Sequence, residues 1–486
     1  MTRGNCSVST ISATGPSSTG FCRVTVVAPD RRIDVALPDD VPVAELRAHV
    51  LHLSGQNQAE GEPAGFNLVR RDGTVLEGGL SLSAQRVLDG ELLALRPYAD
   101  SLPPPVYDDV VDAIATAVER DNRRWNDELM RAGGLTGGFV LLVMTGFVLW
   151  FADPHRHDMH ALPGVLAGVI GVVLTAFAGV RARAYDDRAS AVALGLAALP
   201  HLMIAGSGIV APDSGEGAGR MQFLVACVTV LVASVLLIAL LPYGDAPFVA
   251  AALLSAAGAL ATFGVIAGGS PPRYAAAVAG VCAVALVGFL PGWSARFARL
   301  PIGFRAQGES TEEPVDYRRI AAQAQRGHEL LLGLVCGCSA VVVGAVTVLG
   351  FSDSGWAQLL ALATAVAAML RARLFRYTAQ VAALLAAGVV GLGLLALGLA
   401  LNLPVDLLKK FAQGDHGPLD TRTVWITAAV VAGAALLTAI ALIVPRKGVS
   451  LFWGRTLDIG EAAVLLSLVP LCLAVLKIYS RVRGSG

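Results

Sequence analysis

The chain has 486 residues, 55% of them hydrophobic and only 15% charged, and a mean hydropathy of +0.63, which makes it too apolar and too poor in charge for an ordinary soluble enzyme. Its 37 basic residues balance its 37 acidic ones, so the net charge points to no nucleic-acid partner and only the distribution of charge is informative. The composition is that of an α-helical membrane protein with several crossings.

Residues 1–20, rich in Ser, Thr and Gly, lack the apolar core of a signal peptide and read as a disordered arm left in the cytosol. From Phe21 to Tyr98 the pattern is that of a small α/β domain. Val24 and Val26, then Ile33, Val35 and Leu37, alternate as two strands around a turn at Pro29 to Arg32. A helix begins at Pro42, carries Val43, Leu46, Val50, Leu51 and Leu53, and ends near Gly55. Phe66, Leu68 and Val69 form a third strand before Asp72-Gly73, Val75 and Leu76 a short fourth, and Leu92, Leu93 and Leu95 a last one after Asp89-Gly90. This order, with the stretches L-V-R-R-D-G-T-V-L and V-L-D-G-E-L-L-A-L-R-P, resembles the ubiquitin-like β-grasp domains. The domain runs on into Pro103-Pro104-Pro105 without a free Gly-Gly tail, so it reads as a docking module and not a conjugated tag.

Residues 99–131 then form a proline linker and, from Val106 to Arg131, an amphipathic helix with Val106, Val110, Ile114 and Val118 on one side. Trp125, beside Arg120, Arg123 and Arg124, suits the headgroup layer before the first crossing. A solvated spacer helix fits the same residues.

Eleven apolar stretches follow, each long enough to cross roughly 30 Å of hydrocarbon as a helix. They cover about 135–152, 162–180, 189–211, 221–241, 246–268, 274–293, 329–350, 356–370, 377–401, 423–444 and 459–480. Six lie in residues 132–293 and five in residues 329–486, separated by a polar loop over 294–328. Lys and Arg in alternate loops number 19 on the side of the N-terminus and this loop, and 9 on the other. The positive-inside rule therefore puts the N-terminus and the loop in the cytosol and the C-terminus outside. In the loop, Pro301 and Pro314 break the front half, while Val315 to His328 is able to continue as helix into the seventh crossing.

The helix interiors carry almost no ionisable groups, unlike those of ion-coupled carriers. His201 is the one buried candidate; a hydrogen-bonded structural histidine is the plainer reading, a proton relay the sharper one. Asp458 and Glu461 lie at the mouth of the last helix with Arg455 as a possible partner. Cys336 and Cys338 form a lipid-embedded C-x-C that reads as packing, and His155, His157, Asp158 and His160 read as a solvated polar turn before a metal site. No catalytic constellation, cofactor motif or metal motif is evident. Gly134/Gly138, Gly164/Gly168, Gly264/Gly268 and Gly333/Gly337 make G-x-x-x-G pairs suited to close helix contact.

The ubiquitin-like domain, the proline break followed by V-Y-D-D-V-V-D-A-I-A, the eleven crossings split six and five, and the closing G-R-T-L-D-I-G-E-A-A-V-L-L-S-L-V-P-L-C-L together resemble the EccD family of type VII (ESX) secretion systems. The resemblance implies a non-enzymatic membrane subunit in a mycobacterium or related actinobacterium, assembled with EccB, EccE and the ATPase EccC. It also implies pairing with a second copy of itself around a lipid-facing cavity. On that reading the ubiquitin-like domain, the helix with Trp125, and the loop with Arg318, Arg319 and Arg326 are docking surfaces; the arginines as mere topology determinants is the alternative. A carrier of a small or lipidic solute, regulated by the N-terminal domain, is the second functional reading.

Overall fold

The computed structural model describes residues 20–28, 32–54, 65–97, 126–153, 155, 157–212, 219–241, 246–297, 317–404, 407, 409, 412–414, 417–447 and 451–479. The chain divides into two compact units, Met1–Arg124 and Trp125–Gly486.

In the first unit, strands β1 (Phe21–Val27), β2 (Arg32–Pro38), β3 (Phe66–Arg70) and β4 (Glu91–Pro97) form one sheet in the order β2-β1-β4-β3. β1 pairs antiparallel with β2, Val24 opposite Val35, and parallel with β4, Val26 opposite Leu93. Helix α1 (Val43–Ser54) lays Val43, Leu46 and Val50 against the face that carries Val24, Val26, Leu68 and Leu93. The period-2 alternation of the strands and the i, i+3, i+7 spacing of the helix meet in this one core.

The expected short fourth strand is not one. Val75 makes a single isolated bridge to Val69, because the chain reverses tightly over Asp72-Gly73. Gly73 takes φ +91°, its N–H donates to the Arg70 carbonyl at 3.0 Å, and the Asp72 carboxylate accepts from the Thr74 N–H at 2.9 Å. The turn consumes the residues that a ladder would need.

The second unit is a helical bundle. Its first helix, α2, runs Asp127–Trp150, and Asn126 caps it with extended backbone and a 2.7 Å bond from the Leu129 N–H. This corrects one end of the expected amphipathic helix: residues 127–131 begin the first crossing, and the remainder of that helix lies outside the described residues. Helices α3 (Leu162–Ala184), α4 (Arg188–Ser207), α5 (Arg220–Leu240), α6 (Ala246–Gly268) and α7 (Pro272–Val287) follow. Then come α8 (Leu290–Phe297), α9 (Tyr317–Gly350), α10 (Gly355–Arg371) with a short 3-10 turn over Ala372–Leu374, α11 (Thr378–Leu401), α12 (Gly417–Lys447) and α13 (Leu451–Val475).

Ten of the described helices are long and apolar enough to cross a membrane, and the pair α7 and α8, bent by 68°, makes eleven if counted as one broken span. The sixth crossing is thus not the straight segment expected over 274–293. The last also shifts, starting at Leu451 and ending at Val475 where 459–480 was expected, and α12 is longer than 423–444.

Helix α9 is the hub. It packs against α6, α7, α8, α10 and α11, and its 34 residues make it about 51 Å long, some 20 Å more than the hydrocarbon layer needs. Residues 317–328 and the seventh crossing are therefore one continuous helix. A core of small side chains, among them Ala277, Ala283, Ala345, Ala361, Ala365 and Ala368, joins α7, α9, α10 and α13. By contrast α12 touches only α11 among the described helices, and none of its apolar centre is buried.

Candidate functional surfaces

The ion pairs described for the bundle gather at one end, and the path of the chain explains why. Helix α3 ends at Ala184, and the next helix is capped by Asp187, whose carboxylate accepts from the Ser190 N–H at 3.2 Å. Cationic residues from two other helices reach that carboxylate: Arg131 of α2 at 2.5 Å and Arg181 of α3. Asp187 is only 8% exposed, yet the Ser190 hydroxyl and amide, then Arg181 and Arg131, hold its pKa down to about 2 against the opposing effect of burial. Arg188, the next residue, pairs with Glu329 of α9 at 2.7 Å.

Across the bundle, Arg371 and Arg373 reach Glu461 at 3.8 Å and Asp458 at 2.9 Å, joining the end of α10 to α13. The expected partner, Arg455 on the same helix, is not in either pair; cations from a neighbouring helix end are better placed. Arg183 donates from Nε and Nη2 to the Leu240 and Ala239 carbonyls at 2.9 and 3.1 Å, closing the open end of α5. The His328 and Tyr377 rings meet at 4.3 Å beside them.

These pairs draw α2, α3, α4, α9, α10 and α13 together at the end where the sequence count concentrates arginine. Partly exposed ion pairs of this kind contribute roughly 0–1 kcal/mol each, so the belt fixes register more than it adds stability. Asp187 and Glu329 are what the sequence reading passes over, whereas Asp458 and Glu461 are legible there and only their partners differ. The signal was present: carboxylates in loops otherwise counted only for their arginines.

At the opposite end the histidines serve as caps. His157 Nδ1 donates to the Trp150 carbonyl at 2.9 Å with its ring stacked on Trp150, and His160 Nδ1 donates to the Gly208 carbonyl at 2.8 Å. Inside the bundle, His201 is fully buried and donates from Nδ1 to the Ala197 carbonyl at 2.8 Å; Nε2 has no partner among the described residues. That is a helix-bonded histidine with no second group to relay a proton to.

The polar groups buried in the helices mostly turn back on their own backbone: Thr175 on Gly171, Ser207 on Ile204, Thr364 on Leu360. Two open concavities are apolar. One, of about 1020 Å³, lies between α10 and α13; another, of about 520 Å³, is lined mainly by Ala, Gly and Val of α6, α7 and α9.

Residues 130–485 match the family model of the EccD-like transmembrane domain. The chain belongs to the EccD family. A second match, over residues 21–95, is to YukD of the WXG100 protein secretion system, which identifies the N-terminal unit as the ubiquitin-like module. Over nearly its full length this EccD-family chain is 26% identical to the ESX-4 secretion system protein eccD4 of Mycobacterium tuberculosis, covering 96% of this chain and 98% of that one. It is 30% identical over 191 residues to the ESX-3 secretion system protein EccD3 of the same organism, 36% of this chain. Among solved structures, protomer 1 of the ESX-3 core complex matches with TM-score 0.61 at 21% identity, covering 95% of this chain and all of that one. The MycP5-free ESX-5 inner membrane complex matches at 0.56 with 22% identity, covering 87% of this chain and 99% of that one. At these identities the likeness is one of fold.

Of the docking residues expected in this EccD-family chain, Arg326 is exposed on α9 and Arg318 and Arg319 lie in its first turn. Arg319 and Arg326, seven residues apart, share one register of the helix. Trp125 lies outside the described residues.

Proposed function

We propose that this chain is a non-enzymatic membrane subunit of an ESX secretion complex, embedded in the inner membrane with the arginine belt and N-terminus on the cytosolic side and the C-terminus outside. The observation that carries this reading is a polytopic bundle whose ion pairs lie in a belt at one end while its interior is mostly apolar, with isolated buried polar side chains such as His201 and Gln380. Such a bundle is suited to packing on other membrane subunits, and among the described residues it gathers no cluster of ionisable groups at the midplane of the sort an ion-coupled carrier needs. The names of the full-length relatives support it, and so does the fold shared with subunits of two ESX assemblies.

On this proposal the ubiquitin-like domain and the projecting start of α9 dock the cytosolic ATPase, EccC, with EccB, EccE, membrane lipids and a second copy of the chain as further neighbours. Docking is tested by reversing Arg318, Arg319 and Arg326 to Glu together, with Trp125→Ala as a separate variant. The triple variant is expected to reach the membrane while the ATPase recovered with it on mild extraction falls at least about tenfold. Unaltered recovery would leave those arginines as topology determinants only. A carrier would instead move solute when the purified chain alone is placed in proteoliposomes.

A further inference from the structure

Helices α10 and α13 run antiparallel, and two ion pairs join them at one end. Arg371 with Glu461 and Arg373 with Asp458 hold them at the arginine belt. Along their other side they leave an open groove of about 1020 Å³, at the upper limit of the ~300–1,000 Å³ typical of small-molecule sites. The groove follows α10 from Trp356 to Val366 and α13 from Val464 to Ala474. Eleven residues of helix on each wall give it a length of about 15 Å.

That length decides between occupants. It is half of the ~30 Å hydrocarbon layer, hence the depth of one leaflet. A spanning helix of another subunit would call for contact along the whole crossing. The lining agrees, since bulky Leu362, Val366 and Leu471 face the groove. Two close helix crossings in this chain are made by glycine: a Cβ at Gly337 would stand 2.9 Å from Leu253, and one at Gly398 would stand 2.7 Å from the Gly350 carbonyl oxygen. The groove has shape for flexible chains, not for a helix.

Its mouth is polar and cationic. Helix α13 ends at Val475, the chain passes through a left-handed residue at Lys477 (φ 57°), and this turn sets Lys477 and Tyr479 at the rim opposite Trp356. Trp and Tyr favour the headgroup layer, and a lysine there attracts anionic lipid. The other side of α13, with Leu468, Cys472 and Val475, is packed into the bundle core, so the groove opens outward.

We propose that this groove holds one anionic phospholipid of the leaflet opposite the arginine belt, its acyl chains laid between α10 and α13 and its phosphate at Lys477. The lipid fills the groove that the two helices leave on their outer side. A cation that only complements the carbonyls at the end of α13 is the plainer role for Lys477.

The test equilibrates the full chain in mild detergent with mixed phosphatidylglycerol and phosphatidylcholine and counts retained lipids by native mass spectrometry. The wild type is expected to keep one phosphatidylglycerol in preference to phosphatidylcholine. Lys477→Glu should cut that preference at least about fivefold, the equivalent of one lysine's attraction to an anionic surface, and Lys477→Arg should preserve it. Ala474→Trp, which fills the groove, should lower retention of both lipids, with Leu362→Trp as a second filler should the first impair folding. Equal retention of the two lipids, or a preference unmoved by Lys477→Glu, would overturn the proposal. So would a cysteine at Leu362 that cross-links to another protein in native membranes, because a helix would then occupy the groove.

Discussion

Asp187 shows how much a single side chain organises here. It caps α4, receives Arg131 and Arg181 from two other helices, and precedes the Arg188 that holds α9. With its carboxyl lowered from the ordinary 3.8 to about 2, it contributes stability that is fully present above about pH 4 and is lost as the pH falls through 2. Asp187→Asn keeps a cap for the Ser190 amide but loses the charge, and is expected to cost about 1 kcal/mol at neutral pH. Thermal unfolding in detergent at pH 7 and near pH 2.5 checks the sign: the gap between wild type and variant should narrow in acid. A gap that is constant or widens would mean the carboxylate is not the stabilising form. The sequence signals this residue only as a loop carboxylate, because an Asp-Asp-Arg run between apolar stretches reads first as a solvated loop.

At the scale of elements, the long apolar periods were legible and the places where helices touch were not. Four G-x-x-x-G pairs look alike in the sequence, yet they differ in use. A Cβ at Gly333 or Gly337 would press into α6, against the Ala246 carbonyl, Val249 and Leu253, and one at Gly164 would collide with the Met159 carbonyl. At Gly134, Gly138 and Gly264 nothing of the chain comes within 4 Å. Gly337→Leu should therefore destabilise the isolated chain by roughly 1–3 kcal/mol through overpacking, while Gly138→Leu should change it by less than about 0.5 kcal/mol. Comparing their unfolding midpoints in the same detergent tests this; equal effects would mean that the α6–α9 crossing is not built on glycine. The bend between α7 and α8 and the lost fourth strand of the β-grasp unit were hidden for the same reason. The one is a 68° break between Val287 and Leu290 and the other a tight turn at Asp72-Gly73, local events that hydrophobic periodicity does not encode.

For the whole molecule, the class of fold and the family follow from features that act over hundreds of residues: a small alternating domain, a proline break, and apolar stretches divided by an arginine-rich loop. The polar interruption proved to be partly structure in its own right, since its second half is the beginning of α9, the helix on which both halves of the bundle pack. The lateral surfaces were less legible. An apolar helix that packs on a neighbour and one that faces outward have the same composition, so α12, with its centre wholly uncovered, was indistinguishable in sequence from the buried crossings.

The central claim is that this chain works as one part of a membrane assembly. Extracting it from native membranes under mild detergent and weighing the complex by native mass spectrometry tests that most directly. The account predicts a large particle containing the cytosolic ATPase, other membrane subunits and more than one copy of this chain; a stable, partner-free monomer would contradict it.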